Sequence, residues 1–164
     1  MTFTYEIVLP LPIARVWEMF QDMTTLLPAI TPPQQQMRIE RAEPLPPVVG
    51  TELILLTKSP IGRVRWVARI TELVPPHGTI TGMEARFVDE QIEGPFKSWR
   101  HAHEFEAIDD RSTRCIDHID YTLPYGLLGR LANPLIVKPA LRKMFAYREK
   151  TLKGLVRAAY HGGC

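Results

Sequence analysis

Cysteine is nearly missing from this 164-residue chain: two occur, Cys115 inside a strand-like run and Cys164 at the end. That number supplies neither a disulfide framework nor a zinc-ligand pattern, and it suits a reducing cytoplasm. Long hydrophobic runs are missing too. No stretch approaches the ~20 apolar residues of a membrane span, so no stable membrane insertion is expected. The opening "MTFTYEIVLP" has no basic region followed by an apolar core, which predicts no signal peptide. An excess of one charge is also lacking: 20 basic residues stand against 18 acidic ones, net +2, with the signs interspersed. This balance predicts no footprint for nucleic acid or an anionic membrane. There is no internal repeat, low-complexity tract, dinucleotide fingerprint or nucleophile motif. "GLLG" at 126–129 lacks the glycine pattern and basic residue of a phosphate loop.

What is present is ordinary for a globular protein: 45% apolar and 23% charged residues, enough for one domain over 1–164 with a buried core. "FTYEIVL" (3–9) reads as a strand closed by prolines. Ile13, Val16, Trp17 and Phe20 have helical spacing after Pro12. Asp22 is placed to cap a second short helix that Pro28 and "TPP" (31–33) stop. The period then changes to two. "QMRIERAE", "GTELILLTK", "RVRWVARITEL", "RFVDEQIE", "KSWRHAHEFEAI" and "TRCIDHIDYTL" are six strand-like runs separated by turn signals. Residues 79–85, "TITGMEA", fit either a strand extension or a loop. From about Pro139 to Tyr160 a helical stripe returns, through Leu141, Met144, Phe145, Leu152, Leu155, Val156 and Ala159. "GG" at 162–163 ends it. The order predicts an α+β fold in which a seven-stranded antiparallel sheet curves around a long C-terminal helix, with two short helices near the N-terminus. Such a curve leaves room for a cavity.

"FKSWRHAHEFEA" (96–107) then poses a chemical question, because Trp99, His101, His103 and Phe105 share one face of a strand. Centring the next turn on "DDRS" sets His103 opposite Asp117, His101 opposite Ile119 and Trp99 opposite Tyr121. Pairing across "GPF" brings Asp89 and Gln91 beside Trp99 and His101. Asp89, Gln91, His101, His103, Asp117 and Tyr121 are therefore expected to converge on the concave face, within hydrogen-bond reach in the case of His103 and Asp117. Arg148 falls in the middle of the helix's apolar stripe and needs a carboxylate or a ligand there. Trp66, Phe87 and Trp99 read as core or as pocket lining. His77, His118 and His161 carry no assignment.

The element order, with "GPFKSWRHAHEFEA", "DHIDYTLPYGLLG" and "FAYREKTL" in these places, resembles the SRPBCC superfamily. That superfamily groups START lipid-transfer domains, plant pollen-allergen-like proteins and bacterial polyketide cyclase/aromatases. The resemblance spans essentially the whole chain and is nearest to small bacterial ligand-binding members. It implies a helix-grip fold, no cofactor and no metal, although His-x-His with a carboxylate can chelate zinc or iron. The reading that follows is a binder of a hydrophobic small molecule such as a lipid, isoprenoid or polyketide. The polar cluster would orient its oxygenated end. A cyclase/aromatase- or dehydratase-like enzyme is the alternative, with His101 or His103 as acid/base and Asp117 fixing the tautomer. A protein-interaction module of the chaperone-activating kind is a third, with no protein partner specified. A purely structural network of buried polar groups stays open beside these.

Overall fold

Strand β1 (Thr2–Leu9) buries Phe3, Ile7 and Leu9 on one face and ends where Pro10 and Pro12 interrupt the ladder. Pro12, with φ at −58°, leads directly into α1 (Ile13–Gln21), whose Ile13, Val16 and Phe20 turn inward. The Asp22 carboxylate accepts the Thr25 N–H at 3.3 Å and so caps α2 (Met23–Ile30). The helix covers the stretch expected for it, "MTTLLPAI", with Pro28 inside. The chain stays helical to Ile30, because burial of Leu26 and Ile30 outweighs the single backbone bond that proline removes.

The computed structural model describes residues 1–59, 62–79 and 82–161. After α2 come β2 (Arg38–Glu43), β3 (Glu52–Ser59), β4 (Gly62–His77), β5 (Glu84–Glu93), β6 (Ser98–Ala107) and β7 (Thr113–Thr122). With β1 they form one antiparallel sheet in the order β1-β7-β6-β5-β4-β3-β2, so the seven-stranded expectation holds. β4 runs past its expected end at Leu73. Its register slips between Val74 and His77, which leaves Pro75 and Pro76 outside the ladder. Two further slips in β4, at Val67/Ala68 and Ile70/Glu72, add twist and bend to the middle of the sheet. Of the ambiguous stretch 79–85, Glu84 and Ala85 open β5, while residues 80 and 81 lie outside the described residues.

A short helix, α3 (Gly126–Ala132), and a π-type turn (Asn133–Val137) then lead into α4 (Lys138–His161). Pro139 is the second residue of α4. Gly162 and Gly163, expected to end this helix, and Cys164 lie outside the described residues. No helix among the described residues is long and apolar enough to cross a membrane.

The core has two parts. One gathers Ile7, Leu9, α1, α2, Phe87 and Phe105 with Leu152 and Val156 of α4. The other gathers Phe3, Trp99, Ile119 and Tyr121 with Leu141 and Phe145. α4 therefore serves both, and this is the helix-grip arrangement of the expected α+β class. Leu155 does not join the stripe. It is 41% exposed, one position off the Leu152–Val156 line that faces the sheet.

Phe145 is 1% exposed and packs on Phe3 at 5.3 Å and Tyr5 at 5.4 Å. Phe145→Ala should cost about 3–5 kcal/mol of stability, and Leu155→Ala about 0.5 kcal/mol or less. Urea unfolding followed by circular dichroism would read both; equal losses would mean that α4 is docked differently.

Candidate functional site

Three neighbouring strands supply the polar group. The pairing of β5 with β6 sets Asp89 opposite His101 and Phe87 opposite His103. The pairing of β6 with β7 sets His101 opposite Ile119, His103 opposite Asp117 and Trp99 opposite Tyr121, as the register argument required. Side-chain alternation turns Trp99, His101, His103 and Phe105 inward, and all four are buried.

The hydrogen bonds run diagonally across this row. His101 Nε2 meets Asp117 Oδ1 at 2.8 Å, and His103 Nε2 meets Asp89 Oδ2 at 3.2 Å. His103 does lie within reach of Asp117, with Nδ1 2.9 Å from Oδ1. The angle makes no hydrogen bond there, however, so Nδ1 is a buried nitrogen without a hydrogen-bond partner. The two imidazoles are 3.8 Å apart, centre to centre. His103 is stacked on Phe87 at 4.0 Å, and Trp99 and Phe145 stand edge-on to His101 at 6.1 and 6.0 Å.

Arg148 comes to the same place from α4, one turn from Phe145 and one from Leu152. Its guanidinium carbon lies 4.7 Å from the centre of the Phe145 ring. Neither carboxylate is within ion-pair distance of it among the described residues, and its buried Nε has no partner. The polar group thus fills the seam between the two halves of the core.

These contacts divide the charges. Burial depresses the basicity of His101, and the neighbouring His103 charge adds to this against the pull of Asp117 and Asp89. Burial acts on His103 as well, but its bonds and attractions to Asp117 and Asp89 win, and its pKa is raised. Asp117 is buried too, yet the two histidines hold its carboxyl well below the usual range. Burial lowers the Arg148 pKa, against the opposing fields of Asp117 and Asp89. A guanidinium so placed still keeps its proton. Two carboxylates are then matched by the His103 imidazolium and the Arg148 guanidinium, with His101 neutral between them.

The remaining expected site residues are engaged elsewhere. Gln91 donates its amide to the Phe96 carbonyl at 2.7 Å and braces the turn. A Cβ on Gly94 would come within 2.3 Å of the Gln91 amide oxygen, so a larger residue there would displace this brace. Tyr121 donates its hydroxyl to Asn133 Oδ1 at 2.5 Å and leaves the polar group. Trp66 stands edge-on to Trp99 at 5.1 Å, in an aromatic trio with Phe96. Cys115 shares the inner face, but burial pushes its thiol pKa up, so it is no nucleophile. Tyr5 is a site neighbour that the sequence reading misses. It pairs directly with Asp117 across β1 and β7, and its hydroxyl donates to Glu149 Oε2 at 2.6 Å. Burial and this carboxylate push Tyr5 up to about 12. The alternation of "FTYEIVL" could have revealed its inward face; its partner on α4 left no such trace.

In place of an open chamber, aromatic rings close around both imidazoles. The carboxylate side chains keep 20% (Asp89) and 13% (Asp117) of their surface. A separate groove of about 380 Å³ lies on the outer face, along Glu72, Arg86 and Glu104, and is lined by charged side chains. Asp89, His101 and His103 also offer ligand atoms within 4.8 Å of one another, the spacing of a metal site. A metal there would have to displace the His103 proton and break the His103–Asp89 bond.

Residues 9–145 match the family model described as polyketide cyclase / dehydrase and lipid transport. No curated protein sequence matches the chain. The fold is similar to that of the protein TTHA0849 from Thermus thermophilus (20% identity, 97% of this chain and 99% of that one, TM-score 0.68). It is equally similar to the ZhuI aromatase/cyclase from Streptomyces sp. R1128 (14% identity, 96% and 94%, TM-score 0.69). A START superfamily protein from Mycobacterium smegmatis also shares it (12% identity, 96% and 98%, TM-score 0.66). At these identities the structures speak for the fold alone. The family model covers most of the chain, from the end of β1 to Phe145 on α4, and the chain therefore belongs to the polyketide cyclase / dehydrase and lipid transport family within the SRPBCC superfamily.

Proposed function

We propose that the protein binds a hydrophobic small molecule whose uncharged oxygenated end, a carbonyl or hydroxyl, docks on the cluster of Asp89, His101, His103, Asp117 and Arg148. The observation that carries this reading is the buried Arg148 Nε, which has no hydrogen-bond partner. A buried donor left unmade costs about 1–3 kcal/mol, and a ligand oxygen could accept from it. The matched charges of the cluster favour an uncharged head over a carboxylate. Phe87, Trp99 and Phe145 would flank the ligand's apolar body. The ligand would have to move these rings, since they close on the imidazoles.

Acid–base catalysis is the second reading, and the opposite pKa shifts of the two histidines favour it. Environments that push two titrating groups apart mark a base beside an acid. Neutral His101 would take a proton from the carbon next to a ligand carbonyl. The His103 imidazolium would protonate a departing β-hydroxyl, so that water leaves and a conjugated ketone forms.

Native mass spectrometry of protein purified from its own host tests the first reading, with a co-purifying neutral, oxygenated apolar compound expected. Arg148→Met should release the compound, and because it also removes a charge that opposes Asp117 and Asp89 it should lower the urea midpoint while leaving a cooperative unfolding transition. His101→Phe should also fold and bind less. Full retention of the compound by both variants would sink the proposal. Loss of water from a β-hydroxy ketone, abolished by His101→Phe, would establish the second reading.

The histidines also set a pH dependence. Around an ordinary histidine pKa of roughly 6.5 the folded pair keeps its proton mainly on His103, whose pKa is raised while that of His101 is lowered. The unfolded pair holds none at high pH and two at low pH, about an ordinary histidine pKa of roughly 6.5. Above that value the folded state binds more protons, so raising the pH removes stability as His103 titrates. Below it the unfolded state binds more, so lowering the pH removes stability as unfolded His101 titrates. The pair's contribution should therefore peak near pH 6.5. Urea unfolding across pH 5 to 9 should show His101→Phe losing only the acid-side decline relative to wild type. An unchanged profile would mean that the His101 pKa does not differ between the folded and unfolded states.

Because His103 carries a proton in this arrangement, protein purified without chelator or His-tag should hold substoichiometric zinc and iron by elemental analysis. Near one ion per chain would reassign Asp89, His101 and His103 as ligands.

A further inference from the structure

The segment from Tyr125 to Ile136 is built with its apolar side outward. Tyr125, Leu127, Leu128, Leu131, Leu135 and Ile136 are between 60% and 83% exposed, all within 12 residues of sequence. What holds the segment to the fold is small. A Cβ on Gly129 would come within 2.3 Å of the Pro124 carbonyl, so the Gly129 side of α3 is pressed against the chain leaving β7. Asn133 is buried and receives the Tyr121 hydroxyl. At 100° per residue Leu127 and Leu131 lie on the side of α3 opposite Gly129. The usual amphipathic arrangement, apolar stripe toward the core, is reversed here. A contiguous exposed apolar patch of this kind marks an interaction surface.

Charge says what covers it. From residue 121 to residue 148 the sequence holds five basic residues (Arg130, Lys138, Arg142, Lys143 and Arg148) and no Asp or Glu, although the chain as a whole has 18 acids. Arg142 and Lys143 are exposed on the first turns of α4, directly after the patch. A second copy meeting this face by a two-fold axis would bring the same basic groups together around the apolar centre, and like charges would oppose it. An anionic lipid surface satisfies both halves: leucines and Tyr125 enter the headgroup region while Arg142 and Lys143 meet phosphates. We propose that residues 125–143 form a peripheral docking face for anionic phospholipid membranes. The interspersed charges of the whole chain hide this local asymmetry.

Flotation of the full chain with vesicles tests it. Vesicles of seven parts phosphatidylcholine to three parts phosphatidylglycerol should retain about tenfold more protein than pure phosphatidylcholine at about 0.1 M salt, and lose it at about 0.5 M. Leu127→Ser with Leu131→Ser, and separately Arg142→Glu with Lys143→Glu, should each lower that retention about tenfold. Both variants change exposed side chains, and unchanged urea midpoints would confirm that they fold. Equal retention on the two vesicle types, or none on either, would overturn the proposal. So would a wild-type dimer in sedimentation velocity that Leu127→Ser with Leu131→Ser dissolves, because the face would then join two copies.

Discussion

A carboxylate drawn into an apolar interior is tolerated only when its charge is met there, and Asp117 sets that condition for the middle of this molecule. β7 turns it inward between Cys115 and Ile119, and nothing on its own strand can answer it. The answer comes from β6, whose alternation delivers two imidazoles at the right height. It is completed by α4, which inserts a guanidinium between the residues that serve the two halves of the core. The price is a core split in two, joined by α4 and by Tyr5, which packs against both parts. That split is also what places polar chemistry at the centre of an apolar fold.

Much of this was legible in the sequence because a strand's period is fixed. Once the turns at "DDRS" and "GPF" were centred, every cross-strand neighbour of His101 and His103 followed, and the observed pairs are those. Register fixes which backbones are adjacent but leaves open which side chains bond. His101 bonds diagonally to Asp117, and His103 to Asp89, because the imidazoles lean along the strand and reach past their direct partners. Tyr121 and Gln91 share the inner face but are taken up by Asn133 and by the Phe96 carbonyl, groups in loops for which no period exists. Leu155 shows the same limit on the helix side. Heptad-like spacing admits it to the stripe, and only the direction from which the sheet approaches excludes it.

Binding and catalysis ask different things of the same five side chains. A binding site needs a polar contact that is worth more than the water it displaces, and the unpartnered Arg148 Nε would provide this. Catalysis needs in addition that one imidazole hold a proton while its neighbour does not. The asymmetry of the cluster produces that difference without further residues. His103 lies within 3.2 Å of carboxylates on both sides, whereas His101 has one close carboxylate and the other at 3.9 Å. The proton therefore settles on His103. Proton occupancy there also weighs against a metal, since an imidazolium nitrogen has no lone pair to give.

The outward-facing platform and the inner cluster are physically continuous. Asn133 anchors the turn beneath the platform to Tyr121, Tyr121 packs on Trp99 at 6.0 Å, and Trp99 stands 6.1 Å from His101. The same turn opens into α4, which carries Arg148 into the cluster. A hydrophobic ligand loses roughly 25 cal/mol of favourable free energy for every Å² it must expose to water in transit. A protein that rests its apolar face in a lipid headgroup layer shortens that transit. Movement of α4 or of the turn on docking would act first on Phe145 and Trp99, two of the rings that close over the histidines.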